Sequence, residues 1–147
     1  MNFSTQALET ADTAFAIATI SDNVEQDLGG HPDFILVAYS EDHNAAVIQA
    51  GLSARFPNTM LLGSSTCRGL LTQDGLMGFG KPVLGIVGFA DPDGAYGTAG
   101  LDLNGELQAT IKDAVEQAQA SVNRMGEVPD LVWLHASPGS EEAMISG

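Results

Sequence analysis

Cysteine and positive charge are what this sequence has least of, and each shortage excludes a class of structure or partner. Cys67 is the only cysteine, so an intrachain disulfide and a four-thiolate zinc site are both excluded. Five lysines and arginines stand against nineteen acidic residues, which gives a formal net charge of −14. A surface of that sign repels phosphate backbones and anionic membranes, so we expect no nucleic-acid partner. The charge mainly favours solubility, with cation binding as the alternative interpretation.

Long apolar segments and nucleotide-binding motifs are also missing. No apolar run approaches the ~20 residues that span a bilayer, and Met1 to Asp12 lack the basic and apolar regions of a signal peptide. There is no P-loop, no dinucleotide fingerprint and no Gly-x-Ser-x-Gly elbow. We therefore expect a cytoplasmic protein that neither inserts into membranes nor acts as an enzyme.

The apolar residues that are present recur in short segments, which predicts an α/β fold. Residues 34–39 (FILVAY) form a bounded apolar run, a pattern typical of a central strand buried on both faces. The glycine-rich stretch 67–103 contains a turn signal at 91–94 and favours antiparallel pairing. The expected fold is a mixed sheet with flanking helices and an antiparallel glycine-rich segment. The predicted strands are 2–8, 34–39, 59–62, 83–89 and 95–103, followed by a last buried run at 131–136.

Three helices are predicted from apolar residues spaced three or four apart. The first begins near Asp12 and ends at Gly29, and the second ends before Pro57. The third is capped by Asn104 and ends at Gly126. The inward-facing residues are Ile17, Ile20, Val24 and Leu28 in the first helix, Ala45, Ile48, Leu52 and Phe56 in the second, and Leu107, Ile111, Val115, Ala118, Val122 and Met125 in the third.

The segment 32–48 recurs near the end of the chain at an offset of 97 residues (Pro32 to Pro129). PDFILVAYSEDHNAAVI aligns with PDLVWLHASPGSEEAMI without gaps, and Pro, Asp, Ser, Ala and the final Ile coincide. Either this is a true repeat, or two buried strand-to-helix units look alike because proline punctuates and serine caps. A true repeat predicts that the native reading frame continues past Gly147.

Three segments, in their order along the chain, resemble those of a known family. They are Pro32-Asp33 with its apolar run, Phe56-Pro57 leading into Leu62-Gly63-Ser64-Ser65, and Ser137-Pro138-Gly139-Ser140-Glu141-Glu142. Together they resemble the FIST family over about Asp12 to Gly147. Cys67-Arg68-Gly69 departs from the Ala-Gly-Glu of relatives. The resemblance identifies residues 1–147 as the N-terminal part of a FIST-like sensory domain, incomplete at its C-terminal end.

The resemblance implies a small-ligand-binding sensory domain of bacterial signal transduction, with amino acids among the proposed ligands. The implied partners are a small molecule, the C-terminal FIST portion and signalling output proteins such as a kinase or a chemotaxis transducer. Some relatives are haem proteins that sense nitric oxide, so a haem-binding sensor is an alternative. Apart from haem in that alternative, no cofactor is expected.

The candidate ligand-binding residues lie where predicted strands end. In an open α/β sheet such carboxyl ends converge on a ligand crevice, where helix N-termini offer free N–H groups to a carboxylate. Glu41, Asp42 or Glu141 would hold a ligand ammonium, and Ser64, Ser65 and Ser137 would line one pocket. The alternative is ordinary helix capping by Ser40, Asp42 and Ser137. The full set is Ser40, Glu41, Asp42, Gly63, Ser64, Ser65, Thr66, Ser137, Gly139, Ser140 and Glu141.

Cys67 and the histidines leave other roles open. A small α/β enzyme could use Cys67 or the serine loops, but a lone cysteine is more typical of a small buried hydrophobe. His135 lies in an apolar run and is interpreted as a core histidine, or as a haem ligand under the haem alternative. His31 and His43 fall in predicted loops, where we expect them to be solvated.

Overall fold

The computed structural model describes residues 1–67, 69–103 and 106–135, together with Gly139, Glu142 and Ile145. The chain divides into two compact units, Met1–Gly94 and Ala95–Gly147. Within the described residues, the first unit holds the strands and two helices, and the second holds a third helix.

A four-stranded mixed sheet forms the centre of the first unit. The six strands of this unit are β1 (Asn2–Glu9), β2 (Phe34–Ser40), β3 (Met60–Thr66), β4 (Leu70–Thr72), β5 (Gly75–Met77) and β6 (Val83–Ala90). The large sheet has the order β1-β6-β2-β3, and β4 pairs with β5 in an antiparallel hairpin. The predicted α/β fold, with a mixed sheet and an antiparallel glycine-rich segment, is confirmed.

The strand directions bring three strand ends to one edge of the large sheet. β6 is antiparallel to both β1 and β2, whereas β2 and β3 are parallel. β1, β2 and β3 therefore point the same way and end where β6 begins. In the register, Glu9 lies opposite Val83 and Ser40 lies opposite Thr66.

Helix α1 (Thr13–Leu28) has the ends that its sequence predicts. The carboxylate of Asp12 accepts the N–H of Phe15 at 3.0 Å, which caps the N-terminus. At the other end Gly29 adopts the left-handed conformation, with φ of 71°. The buried apolar residues Ile17, Ile20 and Val24 confirm the predicted inward face.

Helix α2 (Ala45–Arg55) begins later than its predicted cap residues suggest. The side chain of Asn44 accepts the N–H groups of Ala46 and Val47 at 2.9 and 3.2 Å, so the capping role predicted for Ser40 and Asp42 is wrong. Asn44 caps the helix because the chain first makes a turn, in which the carbonyl of Ser40 accepts the N–H of His43 at 3.0 Å.

The inward face of α2 is shorter than predicted. Ile48, Leu52 and Phe56 are buried, whereas Ala45, in the first turn, is exposed. Arg55, in the last turn, donates to Asp22 at 2.8 Å and also to Glu25, which ties α2 to α1.

The core joins these helices to one face of the large sheet. α1 packs on β1 and β6, and α2 packs on α1. In β2, Ile35 and Val37 are buried, while Phe34 and Leu36 on the opposite face are only partly buried. The central position of β2 is confirmed, but its predicted burial on both faces is wrong for the described structure.

The second unit contains helix α3 (Leu107–Ser121), whose predicted apolar positions up to Ala118 are partly buried, whereas Met125, predicted as the last of them, lies beyond the helix and is exposed. The helix ends before the predicted Gly126, because the chain turns at Asn123, where φ is +58°. Asn104, the predicted cap, lies outside the described residues. The N-cap position is Glu106, which makes no side-chain capping bond.

Two predicted strands of the second unit are absent from its described residues. Residues 95–103 form no strand, since β6 finds both its partners, β1 and β2, in the first unit. Residues 131–135, predicted as a buried run, are exposed; Leu131 is 76% exposed and Trp133 56%. The repeat aligns this segment with β2, but among the described residues it has no neighbouring strands like those that bury β2.

Candidate ligand-binding cleft

An open cleft of about 410 Å³ lies at the sheet edge where β2 ends. Its volume is within the range of small-molecule sites, roughly 300–1,000 Å³. Three pieces of chain form it: the turn after β2, the residue after β3 and the loop before β6. The lining residues are Ser40, Glu41, Asp42, Cys67, Gly78, Phe79, Gly80 and Lys81.

Ser40 joins the turn after β2 to the start of β6. Its hydroxyl oxygen accepts the N–H of Val83 at 3.1 Å, and the residue is only 6% exposed. A hydroxyl also has one hydrogen to donate. Ser40 therefore fixes one wall of the cleft and retains a donor for a ligand.

Glu41 and Asp42 place two carboxylates at the cleft. Both are exposed, and neither forms an ion pair in the described part of the chain. Since Asn44 caps α2, these two side chains are not used to start the helix. They are free to meet a cationic group of a ligand.

The loop 78–81 is held in place by Glu9, the last residue of β1. One carboxylate oxygen of Glu9 accepts the N–H of Gly78 at 2.6 Å, and the other lies 3.4 Å from Nζ of Lys81. The N–H of Gly78, followed by the ammonium of Lys81, lowers the pKa of Glu9. An ionised Glu9 thus fixes both ends of this loop.

Neutralising Glu9 is expected to loosen the loop. In Glu9→Gln the charge-assisted bond to Gly78 and the attraction to Lys81 are lost, so the melting temperature should fall and the Gly78 amide should exchange faster. Because the folded-state pKa is lowered, this contribution is complete above the unfolded carboxyl pKa of about 4.3. It disappears as the pH falls through the lower folded value. The difference in melting temperature between the two proteins should therefore vanish in acid.

Glu116→Gln is the matched control for this change. Glu116 lies 3.8 Å from Lys112 in an exposed pair on α3, and the described structure gives its carboxylate no backbone donor. This variant should leave the Gly78 amide unchanged. Equal effects of the two substitutions, or a Glu9→Gln difference that persists at the lowest pH, would contradict the role of Glu9.

Two glycines near the loop 78–81 allow segments of the backbone to pass very close to one another. A Cβ on Gly69 would lie 2.1 Å from the carbonyl oxygen of Met77, and one on Gly78 would lie 2.2 Å from Cγ1 of Val83. Both glycines have positive φ, of 123° and 79°. Only glycine combines that conformation with such close packing.

Comparison with protein families identifies the chain. The model of the FIST N domain matches residues 33–147. The protein belongs to the FIST family. FIST domains are sensory modules of signal transduction. No curated protein matches this sequence.

The cleft of this FIST domain draws on chain from outside the matched range. β1 and α1 precede residue 33, and with them Glu9, which holds the loop 78–81.

Among the described residues, no helix is long and apolar enough to cross a bilayer. No group of three or more histidine, cysteine, aspartate or glutamate side chains in the same part of the chain could hold a metal ion.

Of the three segments predicted to bind a ligand, one lines the cleft and another does not. Ser40, Glu41 and Asp42 line it. Gly63, Ser64, Ser65 and Thr66 do not, because they continue β3 rather than forming a loop, paired with residues 37–40 of β2. Thr66 ends that strand with a buried hydroxyl that makes no hydrogen bond in the described structure.

The third predicted segment is largely outside the described residues. Ser137, Ser140 and Glu141 fall there, and Gly139 is described with φ of +105°. A pocket shared by Ser64, Ser65 and Ser137 stays a prediction. The same is true of the capping role of Ser137.

The cysteine and two of the three histidines lie in surroundings that differ from those predicted. Cys67 is exposed rather than buried, and lines the cleft. His43 is buried, at 4% exposure, with Nδ1 2.9 Å from the hydroxyl of Thr13 in α1. His135 is exposed beside Trp133, so the prediction of a core histidine is wrong. His31 is solvated as predicted and lies 3.3 Å from Glu25.

Sequence reasoning missed the loop 78–81, which lines the cleft, and Glu9, which anchors that loop. The contact between Glu9 and Gly78 spans 69 positions, a separation that no local pattern reveals. One local signal was available: Gly78 and Gly80 lie two residues apart, and glycines so closely spaced are typical of a turn or loop.

Proposed function

We propose that this FIST domain senses a small ligand that carries both an ammonium and a carboxylate, as amino acids do, and binds it in the cleft. The supporting observation is that unpaired carboxylates and a lysine line the same small cleft. Glu41 and Asp42 offer the negative charges, and Lys81 offers a positive one. Ser40 adds a hydroxyl donor at the buried end.

The chemistry of each group assigns its role. Charge-assisted hydrogen bonds from a ligand ammonium to Glu41 or Asp42 are stronger than bonds between neutral groups. Lys81 has three donors, and within the described residues its ammonium has one partner, Glu9 at 3.4 Å, so it can also contact a ligand carboxylate. Binding would then bias one arrangement of the loop 78–81, which is how a sensor couples a ligand to a partner domain.

We propose binding rather than catalysis at this cleft. A cysteine nucleophile requires a base within hydrogen-bond reach. In the described part of the chain Cys67 has no hydrogen-bond partner, His31 pairs with Glu25, and the remaining ring nitrogen of His43, Nε2, is buried and meets neither Cys67 nor any other partner. A haem-binding role for His135 stays a prediction, which a visible absorption spectrum of the purified protein tests directly.

Removing one acidic group is expected to weaken binding of an amino acid by about ten- to a hundredfold, since a hydrogen bond to a charged group contributes roughly 1.5–3 kcal/mol. The variants are Glu41→Gln and Asp42→Asn, compared with wild type by calorimetric titration. A first thermal-shift screen of the common amino acids selects the ligand.

Asp74→Asn provides the matched control, because Asp74 is an exposed acid in the β4–β5 turn that does not line the cleft. It should bind like wild type. The proposal fails if no amino acid raises the melting temperature at millimolar concentration, or if the control weakens binding as much as the cleft variants.

A further inference from the structure

Phe79 stands out among the cleft residues as a large apolar side chain in a polar site. It lines the cleft, yet it is 66% exposed. The other lining residues are glycines, a serine, a cysteine and charged side chains. Leaving an aromatic ring in water forgoes the free energy that its burial would supply, so a bound group that covers it is favoured.

The backbone around Phe79 holds it in place while leaving space beside the ring. Gly78 and Gly80 both have positive φ, of 79° and 75°. The N–H of Lys81 donates to the carbonyl of Gly78 at 3.2 Å, which closes the turn that carries Phe79. Glu9 anchors the first residue of that turn. The ring therefore projects from a fixed turn whose flanking residues have no side chains.

We infer that Phe79 determines which ligand the cleft accepts, by contacting an apolar or aromatic group of the bound molecule. This inference rests on the proposed function. The charged groups Glu41, Asp42 and Lys81 would hold the ammonium and carboxylate that all amino acids share. Phe79 would then distinguish amino acids by their side chains and favour large apolar ones.

The expected preference follows from apolar contact alone. One methylene group in an apolar site changes affinity by about ten- to two-hundredfold, and a partly open cleft lies at the low end of that range. Wild-type protein should therefore bind phenylalanine or leucine at least about tenfold more tightly than glycine. The quantity that reports on Phe79 is the affinity for phenylalanine, or for leucine, divided by the affinity for glycine.

The test compares that ratio in wild type, Phe79→Ala, Phe79→Leu and Phe3→Ala by calorimetric titration with phenylalanine, leucine and glycine. Phe3 is the matched control, because it is also 66% exposed but does not line the cleft. We expect the ratio to fall to near one in Phe79→Ala and to stay at the wild-type value in Phe3→Ala. Phe79→Leu should keep the preference for leucine. Unliganded melting temperatures establish that each variant is folded.

Four results would overturn the inference, and only the last of them also overturns the proposed function. Binding of amino acids without a preference for large apolar side chains, or an unchanged ratio in Phe79→Ala, removes the role of Phe79 and leaves the cleft as an amino-acid site. Equal loss in Phe3→Ala does the same. Absence of any amino-acid binding overturns both.

Discussion

Phe56→Ala is expected to lower the free energy of unfolding by about 3–5 kcal/mol, since removing a fully buried phenylalanine loses apolar burial and leaves a cavity. Phe56 is 0% exposed and follows the last turn of α2. Its N–H donates to the carbonyl of Leu52 at 2.8 Å, and its ring meets that of His31 edge-on at 5.3 Å between centroids. A loss of this size is a large part of the roughly 5–15 kcal/mol that stabilises a typical domain.

Phe15→Ala is the control for this substitution. Phe15 is 57% exposed on α1, so its loss should change the stability by about 0.5 kcal/mol or less. Urea denaturation of both variants followed by circular dichroism gives the comparison. Equal losses at the two positions would show that Phe56 is not the core residue that the structure describes.

Gly78→Ala is expected to destabilise the protein by roughly 2–5 kcal/mol and to abolish ligand binding in the cleft. A left-handed conformation costs a residue with a Cβ about 1–2 kcal/mol, and overpacking adds about 1–3 kcal/mol. At Gly78 the added Cβ would lie 2.2 Å from Cγ1 of Val83, which is completely buried and cannot move aside. The loop must then shift, and with it the N–H that donates to Glu9.

Gly80→Ala separates the two costs. Gly80 has nearly the same φ, of 75°, but a Cβ there would meet nothing within 4 Å. It should therefore show the conformational cost alone, about 1–2 kcal/mol. Chemical denaturation measures both variants. If Gly78→Ala proves no more destabilising than Gly80→Ala, the close packing against Val83 does not exist in solution.

Local signals predicted α1 and the positions of the four strands of the large sheet, but not the order of those strands. The capping side chain of Asp12 and the left-handed Gly29 act within one turn of the helix, so neighbouring sequence contains their cause. The end of β3 shows where such signals fail. Gly63, Ser64 and Ser65 have low strand propensity, but parallel pairing with β2, through a connection that contains α2, satisfies their backbone groups and extends the strand.

Sequence reasoning predicted the part of the cleft that follows the end of β2. Ser40, Glu41 and Asp42 follow an apolar run whose strand character is local, so their place at a sheet edge could be predicted. The other part depends on β6 pairing with both β1 and β2, which brings Glu9 and the loop 78–81 to the same edge. Contacts of that kind follow from topology, and sequence patterns do not contain them.

The strand β1 also has a consequence for how the protein may be cut. A fragment trimmed to the matched residues 33–147 would lose β1 and α1. Loss of β1 would expose the hydrogen-bonding edge of β6, which could then pair with a strand of another molecule. Loss of α1 would expose the apolar surface that Ile20 and Val24 cover. A truncated protein should therefore keep β1 and α1 rather than start at residue 33, where the family match begins.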